Sequence, residues 1–163
     1  MKEVHRIEFM GGNPRRLPLY EELHELFQKH LDEEVLGAVL YQVATATSHR
    51  AEPRLITGHL FQAPLDATTH GIVRQMRSEL VRPATLAEIA ELVHQGGCPP
   101  ELWVTALGTM YLTESGACVP SVSVRKDGNE LILDQIEGPW DLEHLFLGIS
   151  LSEAETPELR EIH

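Results

Sequence analysis

Three residues in the first half of the chain are of the types that hold a metal ion. His59 lies at the end of a predicted strand, Asp66 in the following loop, and His70 at the start of a predicted helix. Two imidazoles and a carboxylate can bind iron or zinc and leave positions open for a substrate. Six residues separate His59 from Asp66, whereas the familiar triad has one, and the sequence contains neither CxxC nor HExxH. A metal site at these residues is therefore the alternative prediction.

Arginines near predicted helix starts are a second source of chemistry. Arg15 and Arg16 follow two glycines between a predicted strand and a helix, where guanidinium groups near a helix N-terminus can bind a phosphate or carboxylate. Arg74 and Arg77 share one face of the helix predicted from residue 69. Neither set forms a P-loop or GxGxxG motif, and a solvated helix face explains the second set as well. These four residues are weak anion-binding candidates.

Nucleophilic catalysis has no recognisable motif in the sequence. There is no GxSxG elbow, and neither Cys98 nor Cys118 has a catalytic context. Two cysteines in 163 residues do not make a disulfide framework. They indicate a reducing compartment, so the predicted location is cytoplasmic. No cofactor is predicted.

Aromatic and apolar residues suggest a binding surface instead. Trp103, Leu107 and Tyr111 share one face of a long strand predicted over residues 102–113. If helices cover only the other face of the sheet, these side chains need a partner to cover them. Trp140, among acidic residues, is a second candidate anchor. The four residues form the predicted interface.

The elements that position these side chains follow from hydrophobic periodicity and local signals. Thr85 and Glu88 form a capping box, and Asp127-Gly128 is a hairpin signal. Residues 35–47 are ambiguous, because their apolar spacing fits a helix while their alternating β-branched residues favour a strand. We predict a strand over about 37–47. The predicted strands cover about 3–10, 37–47, 54–61, 102–113, 118–125, 130–136 and 144–151, and the predicted helices cover about 18–31, 69–80 and 85–96.

The order of these elements predicts an α+β fold. Strands joined by short turns pair antiparallel, while the helices cluster in two places. We therefore expect two layers, a mainly antiparallel sheet of five to seven strands with about three helices on one face. Residues 1–152 form a single domain in this interpretation, and 153–163 form an acidic, frayed tail.

Charge is distributed unevenly along the chain. The formal charge is −12, and residues 127–163 hold ten acids against one base, so they carry −9. This acidic end argues against binding to nucleic acid or to an anionic membrane, and it can attract a basic protein. No apolar run reaches the roughly 20 residues of a membrane span, and the charged N-terminus does not resemble a signal peptide.

Together these observations predict an acidic intracellular protein that binds or regulates another protein, with a basic protein as the candidate partner, without catalytic activity of its own. A homodimer is expected. The alternative is a small metal- or anion-dependent enzyme or ligand-binding domain with its site near His59, Asp66, His70 and Arg74.

Overall fold

The computed structural model describes residues 1–12, 25–27, 54–138 and 140–151 of the chain. Within this part, eight strands and two helices are present. The strands are β1 (Lys2–Gly11), β2 (Arg54–Gln62), β3 (Val81–Pro83), β4 (Trp103–Thr105), β5 (Tyr111–Thr113), β6 (Gly116–Arg125), β7 (Gly128–Gln135) and β8 (His144–Ser150), and the helices are α1 (Thr69–Ser78) and α2 (Leu86–His94).

One mixed sheet contains all eight strands, in the order β1-β2-β8-β4-β6-β5, with β3 paired to β8 and β7 paired to β6. Every pair is antiparallel except β4 with β8, which is parallel. The predicted α+β class and mainly antiparallel pairing are confirmed, and the sheet is larger than the five to seven strands expected. The last strand, β8, lies in the middle of the sheet between β2 and β4.

The two helices pack on opposite faces of the sheet. Along β8, Leu145, Leu147 and Ile149 belong to a core cluster that includes Leu86, Ile89 and Leu92 of α2. Phe146, which points to the other side, belongs to a second cluster with Ile72 and Met76 of α1. The expectation that the helices cover one face is therefore wrong, because apolar side chains lie on both faces of the sheet, Leu147 on one and Phe61 and Phe146 on the other, and each face needs a cover. We call these two sides the α2 face and the α1 face.

Several local predictions are confirmed. The capping box at α2 is present, with Thr85 accepting from the backbone N–H of Glu88 and the Glu88 carboxylate accepting from that of Thr85. Glu88 is buried and also accepts two hydrogen bonds of 2.8 Å from Arg82, which compensates its charge. The hairpin at Asp127 is formed by β6 and β7, and Gly128 has φ 134°, where glycine is favoured.

The long strand predicted over residues 102–113 is wrong. Residues 103–105 and 111–113 form two separate strands that both pair with β6. Between them Gly108 approaches the start of α2, and its N–H donates to the carbonyl of Ala84 at 2.8 Å. A Cβ on Gly108 would lie only 2.6 Å from the Ala84 oxygen, so this close approach requires glycine. The chain therefore leaves the sheet at a glycine that the alternating pattern did not reveal.

Other predicted segments fall outside the described residues. These are the strand at 37–47, the hairpin that it was expected to form with 54–61, and the tail at 153–163. Of the helix predicted over 18–31, only residues 25–27 are described, and among them Phe27 is fully buried in the α2-face core.

Candidate functional site

His59 is the centre of a hydrogen-bonded trio on the α1 face. The residue lies on β2 and is 7% exposed. Its Nδ1 contacts the carboxylate of Glu3 on β1, and its Nε2 lies 2.6 Å from the Oγ of Ser150 on β8. The three side chains thus come from three adjacent strands and bring a carboxylate, an imidazole and a hydroxyl into one line.

The partners of His59 determine where its ring proton lies. The pKa of Glu3 is lowered, first by hydrogen bonds from Arg6 and next by the one from His59, so Glu3 is an anion at neutral pH. A carboxylate can only accept hydrogen bonds, so Nδ1 of His59 is the protonated nitrogen. Nε2 is then free to accept the proton of Ser150. This is the tautomer in which a histidine can act as a base toward a serine hydroxyl.

A β-bulge in β1 places the carboxylate. The register between β1 and β2 shifts between Glu3 and His5, so Val4 is an extra residue without a cross-strand partner. In a regular strand, residues three apart point to opposite faces. The bulge brings Glu3 and Arg6 to the same face, where Arg6 donates to both carboxylate oxygens at 3.2 and 3.1 Å. Bulges are common beside active sites, where they redirect side chains.

The register on the other side of β2 places the hydroxyl. His59 pairs directly with Gly148, and Ser150 is two residues further along β8, so the histidine reaches it diagonally. Phe61 lies parallel to the His59 ring, with the ring centres 6.0 Å apart. A Cβ on Gly148 would lie 3.1 Å from the Phe61 ring and 2.3 Å from Val81. Glycine at 148 therefore leaves room for the aromatic side chain that packs beside the imidazole.

The sequence singled out only one member of this trio. His59 was proposed as a metal ligand, whereas Glu3 and Ser150 were not selected. Their separations of 56 and 91 residues from His59 leave no local spacing that a motif could capture. The one available signal was that all three residues lie on predicted strands. The sequence pattern did not show that these strands are neighbours in the sheet.

The predicted metal ligands do not come together. Within the described residues, no group of three histidine, cysteine, aspartate or glutamate side chains is placed to hold a metal ion. His59 is occupied by Glu3 and Ser150, and His70 bonds instead to Arg74 at 2.9 Å on the surface of α1. Asp66 is exposed in the loop before that helix.

Two of the four predicted anion-binding residues lie within the part of the chain that the structure describes. Arg74 and Arg77 are exposed on α1, as a solvated helix face requires. Arg15 and Arg16 lie outside the described residues.

A second polar cluster on the α1 face surrounds His144. Its Nδ1 lies 2.7 Å from Asp141 and its Nε2 lies 3.2 Å from Asp134. The Asp134 carboxylate also accepts from Ser121 at 2.6 Å. Because both carboxylates are acceptors, both ring nitrogens must carry protons for both contacts to be hydrogen bonds. The geometry therefore favours the charged imidazolium form of His144.

Two of the predicted interface residues belong to this cluster. The Trp103 ring stacks on His144 with centroids 6.3 Å apart, and the Trp140 ring meets it edge-on at 5.4 Å. Trp140 is only 4% exposed, since it packs on Phe146 and donates from Nε1 to Thr69 at 2.8 Å. Trp103 is half-buried.

The four predicted interface residues do not share an exposed face. Leu107 is half-buried against the α1-face core, whereas Tyr111 is 2% exposed in the α2-face core. The premise of an exposed aromatic stripe along one strand is wrong, because the chain leaves the sheet at Gly108 and Tyr111 is buried in the same α2-face core as Val104 and Ala106. Of the three aromatic side chains, only Trp103 keeps part of its surface outside.

Comparison of the chain with protein-family models, with curated proteins and with solved structures finds no match. Among the described residues, no helix has the length and apolar character needed to cross a membrane. The functional argument therefore depends on the geometry of the sites themselves.

Proposed function

We propose that this chain is a hydrolase that forms a covalent acyl intermediate on Ser150, with His59 as its general base and Glu3 as the carboxylate that orients the base. The observation that carries this proposal is the 2.6 Å contact between Ser150 Oγ and His59 Nε2, on a ring whose other nitrogen is held by a carboxylate. A nucleophile bonded to a base, which is bonded in turn to an orienting acid, is the pattern that activates a hydroxyl group.

The reaction follows from the direction of these hydrogen bonds. As Ser150 Oγ attacks the carbonyl carbon of an ester or amide, its proton passes to Nε2 of His59. The imidazolium gives that proton to the leaving alcohol or amine when the C–O or C–N bond breaks, which leaves the acyl group on Ser150. Water then transfers a proton to Nε2 as it attacks the acyl ester. The acid is released, and the proton returns to Ser150.

The surroundings of the trio support this assignment of roles. Ser150 is half-buried and keeps part of its surface accessible, whereas its base His59 is buried. Glu3 itself is exposed, so solvent screens part of its interaction with the imidazolium that forms during the reaction. Arg6 holds the carboxylate through two bonds and keeps it ionised, which makes Arg6 a positioning residue.

A fluorophosphonate probe tests the proposal without knowledge of the substrate. Attack by Ser150 Oγ on phosphorus forms an O–P bond and releases fluoride, while the proton passes to His59. We expect mass spectrometry of the whole chain to show a single addition, and peptide mapping to place it on Ser150. His59→Gln should lower the labelling rate by about 100-fold or more, since a positioned general base contributes that much.

Ser78→Ala is the matched control, because Ser78 is an exposed serine whose hydroxyl bonds to a backbone carbonyl instead of a histidine. It should label at the wild-type rate, whereas Ser150→Ala should not label. Urea unfolding confirms that each variant is folded. An unlabelled wild-type Ser150, or labelling that is indifferent to His59, would show that the trio is only a cross-strand network.

Self-association is a second candidate function, and one observation favours it. Leu112 on β5 is 79% exposed, and β5 is the last strand in the order formed by the described strands. A terminal strand with an exposed apolar side chain is suited to pair with a second copy. If the chain is a dimer through this edge, Leu112→Asp should shift sedimentation velocity to the monomer. A wild-type monomer at micromolar concentration would contradict this candidate.

A further inference from the structure

A pocket of about 320 Å³ lies behind the β1 bulge, on the α2 face. Val4 and His5 of β1 form one wall, and residues 97–99, which follow α2, form another. Leu102 and Leu145 contribute side chains from the sheet side. A volume of this size falls at the lower end of the range of about 300–1,000 Å³ that is typical of small-molecule sites.

The lining of this pocket selects an uncharged ligand. Its walls are mainly hydrocarbon, from Val4, Leu102, Leu145 and a proline. Burial raises the pKa of the Cys98 thiol to about 12, so the thiol is neutral at physiological pH. His5 is the one side chain in the lining that can donate or accept a strong hydrogen bond. A charged ligand would lose hydration here without gaining a counter-ion.

The same bulge connects this pocket to the trio on the other face. Val4 is the extra residue of the bulge, it lines the pocket, and it is 44% exposed. Its neighbour Glu3 points to the opposite face and holds His59. A ligand that covers the exposed surface of Val4 stabilises the bulged conformation over any other, because it binds that conformation more tightly. Stabilising the bulge keeps Glu3 beside His59.

We propose that this pocket binds a small, uncharged, mostly apolar molecule, and that binding of this molecule stabilises the hydrogen bond between Glu3 and His59. The second part rests on the function proposed for Ser150, whereas the first does not. The pocket is thus a regulatory site on the side of the sheet opposite the reacting groups.

Alkylation of Cys98 by iodoacetamide at about pH 9.5, where a small reactive fraction of the thiol is ionised, measures occupancy directly. We expect 1-hexanol to slow the reaction at Cys98 with saturation, and hexanoate at the same concentration to have no effect because it is charged. Peptide mapping separates Cys98 from Cys118, which is buried elsewhere. Leu102→Trp fills the pocket and should abolish the effect of hexanol, each rate being compared with that variant's own rate without ligand. Absence of protection, equal protection by hexanoate, or full protection in Leu102→Trp overturns the site.

The rate of fluorophosphonate labelling at Ser150 measures the coupling. Hexanol should raise this rate in the wild type and leave it unchanged in Leu102→Trp. If hexanol protects Cys98 while the Ser150 rate stays constant, the coupling is wrong and the ligand site stands. If Ser150 is never labelled, the hydrolase proposal fails. Protection of Cys98 by hexanol still tests whether the pocket binds a ligand.

Discussion

Glu3 and Arg6 form a forked ion pair on one face of β1 although they are three residues apart, with Arg6 donating at 3.2 and 3.1 Å to the two carboxylate oxygens. A regular strand would place them on opposite faces. The extra residue Val4 makes the pair possible, and the same shift directs Glu3 toward His59. One irregularity in β1 therefore decides whether the trio on the α1 face can form.

Deleting Val4 should disrupt this arrangement. Without the extra residue, β1 continues in regular register, and either Glu3 or Arg6 must turn to the other face. We expect the labelling rate of Ser150 to fall close to that of Glu3→Ala. Val4→Ala keeps the extra residue and should retain labelling of Ser150. Comparing the two variants separates the effect of the backbone register from that of the Val4 side chain. Equal rates for the deletion and the wild type would show that the bulge does not place Glu3.

Arg6 should stabilise the folded protein through the ionised form of Glu3, and this effect should depend on pH. Because the folded-state pKa of Glu3 is lowered from 4.5, the stabilising effect of its ionised form is present above that value and is lost as pH falls through the folded-state pKa. Arg6→Ala should therefore be less stable than the wild type at pH 7, with a difference that disappears in acid below pH 4.5. Urea unfolding across this range measures it.

Arg6→Lys is the conservative control for that experiment. It keeps the charge and loses the two-pronged geometry, so the Ser150 labelling rate should lie between those of the wild type and Arg6→Ala. Labelling of Arg6→Ala at the wild-type rate throughout the pH range would remove Arg6 from the site.

Protonation of His144 should be visible in tryptophan fluorescence. Burial opposes the charge of this histidine, but hydrogen bonds to Asp134 and Asp141 outweigh it and raise the pKa above 6.5. The stabilisation is thus fully present below 6.5 and is lost as pH rises through the folded-state pKa. Both tryptophans of the chain contact this ring, and a cationic imidazolium quenches indole emission.

Emission should therefore rise above pH 6.5 with a single titration. Asp134→Asn removes one acceptor and should move the midpoint to lower pH, and His144→Gln should abolish the step. A midpoint that Asp134→Asn leaves in place would mean that the carboxylates do not hold the proton on His144.

Gly108 should resist substitution. A Cβ there would lie 2.6 Å from the carbonyl oxygen of Ala84 and 2.8 Å from that of Pro83, and backbone cannot yield as a flexible side chain does. We expect Gly108→Ala to lower the free energy of unfolding by about 1–3 kcal/mol, the usual cost of overpacking. Gly12→Ala is the control, since a Cβ at Gly12 meets no atom within 4 Å. Urea denaturation of both variants measures the difference, and equal stabilities would contradict the close approach.

Local sequence patterns determined much of the secondary structure. The capping box at Thr85, the hairpin turn at Asp127 and the apolar alternation of β8 each depend on neighbouring residues, and each is present as predicted. The α+β class follows from such signals, because they depend on backbone hydrogen bonding and on the period of apolar side chains. The break at Gly108 was missed because it results from contact with Ala84, which lies 24 residues earlier.

Tertiary structure alone decided the candidate site. Glu3, His59 and Ser150 meet because β8, the last described strand, inserts beside β2 and because a bulge shifts β1 by one residue. Which strands become neighbours, and in which register they pair, cannot be read from the spacing of residues along the chain. Both are set by which apolar faces pack together across the whole sheet. Local patterns along the chain specify where strands and helices form, whereas long-range pairing decides which side chains lie close enough to react.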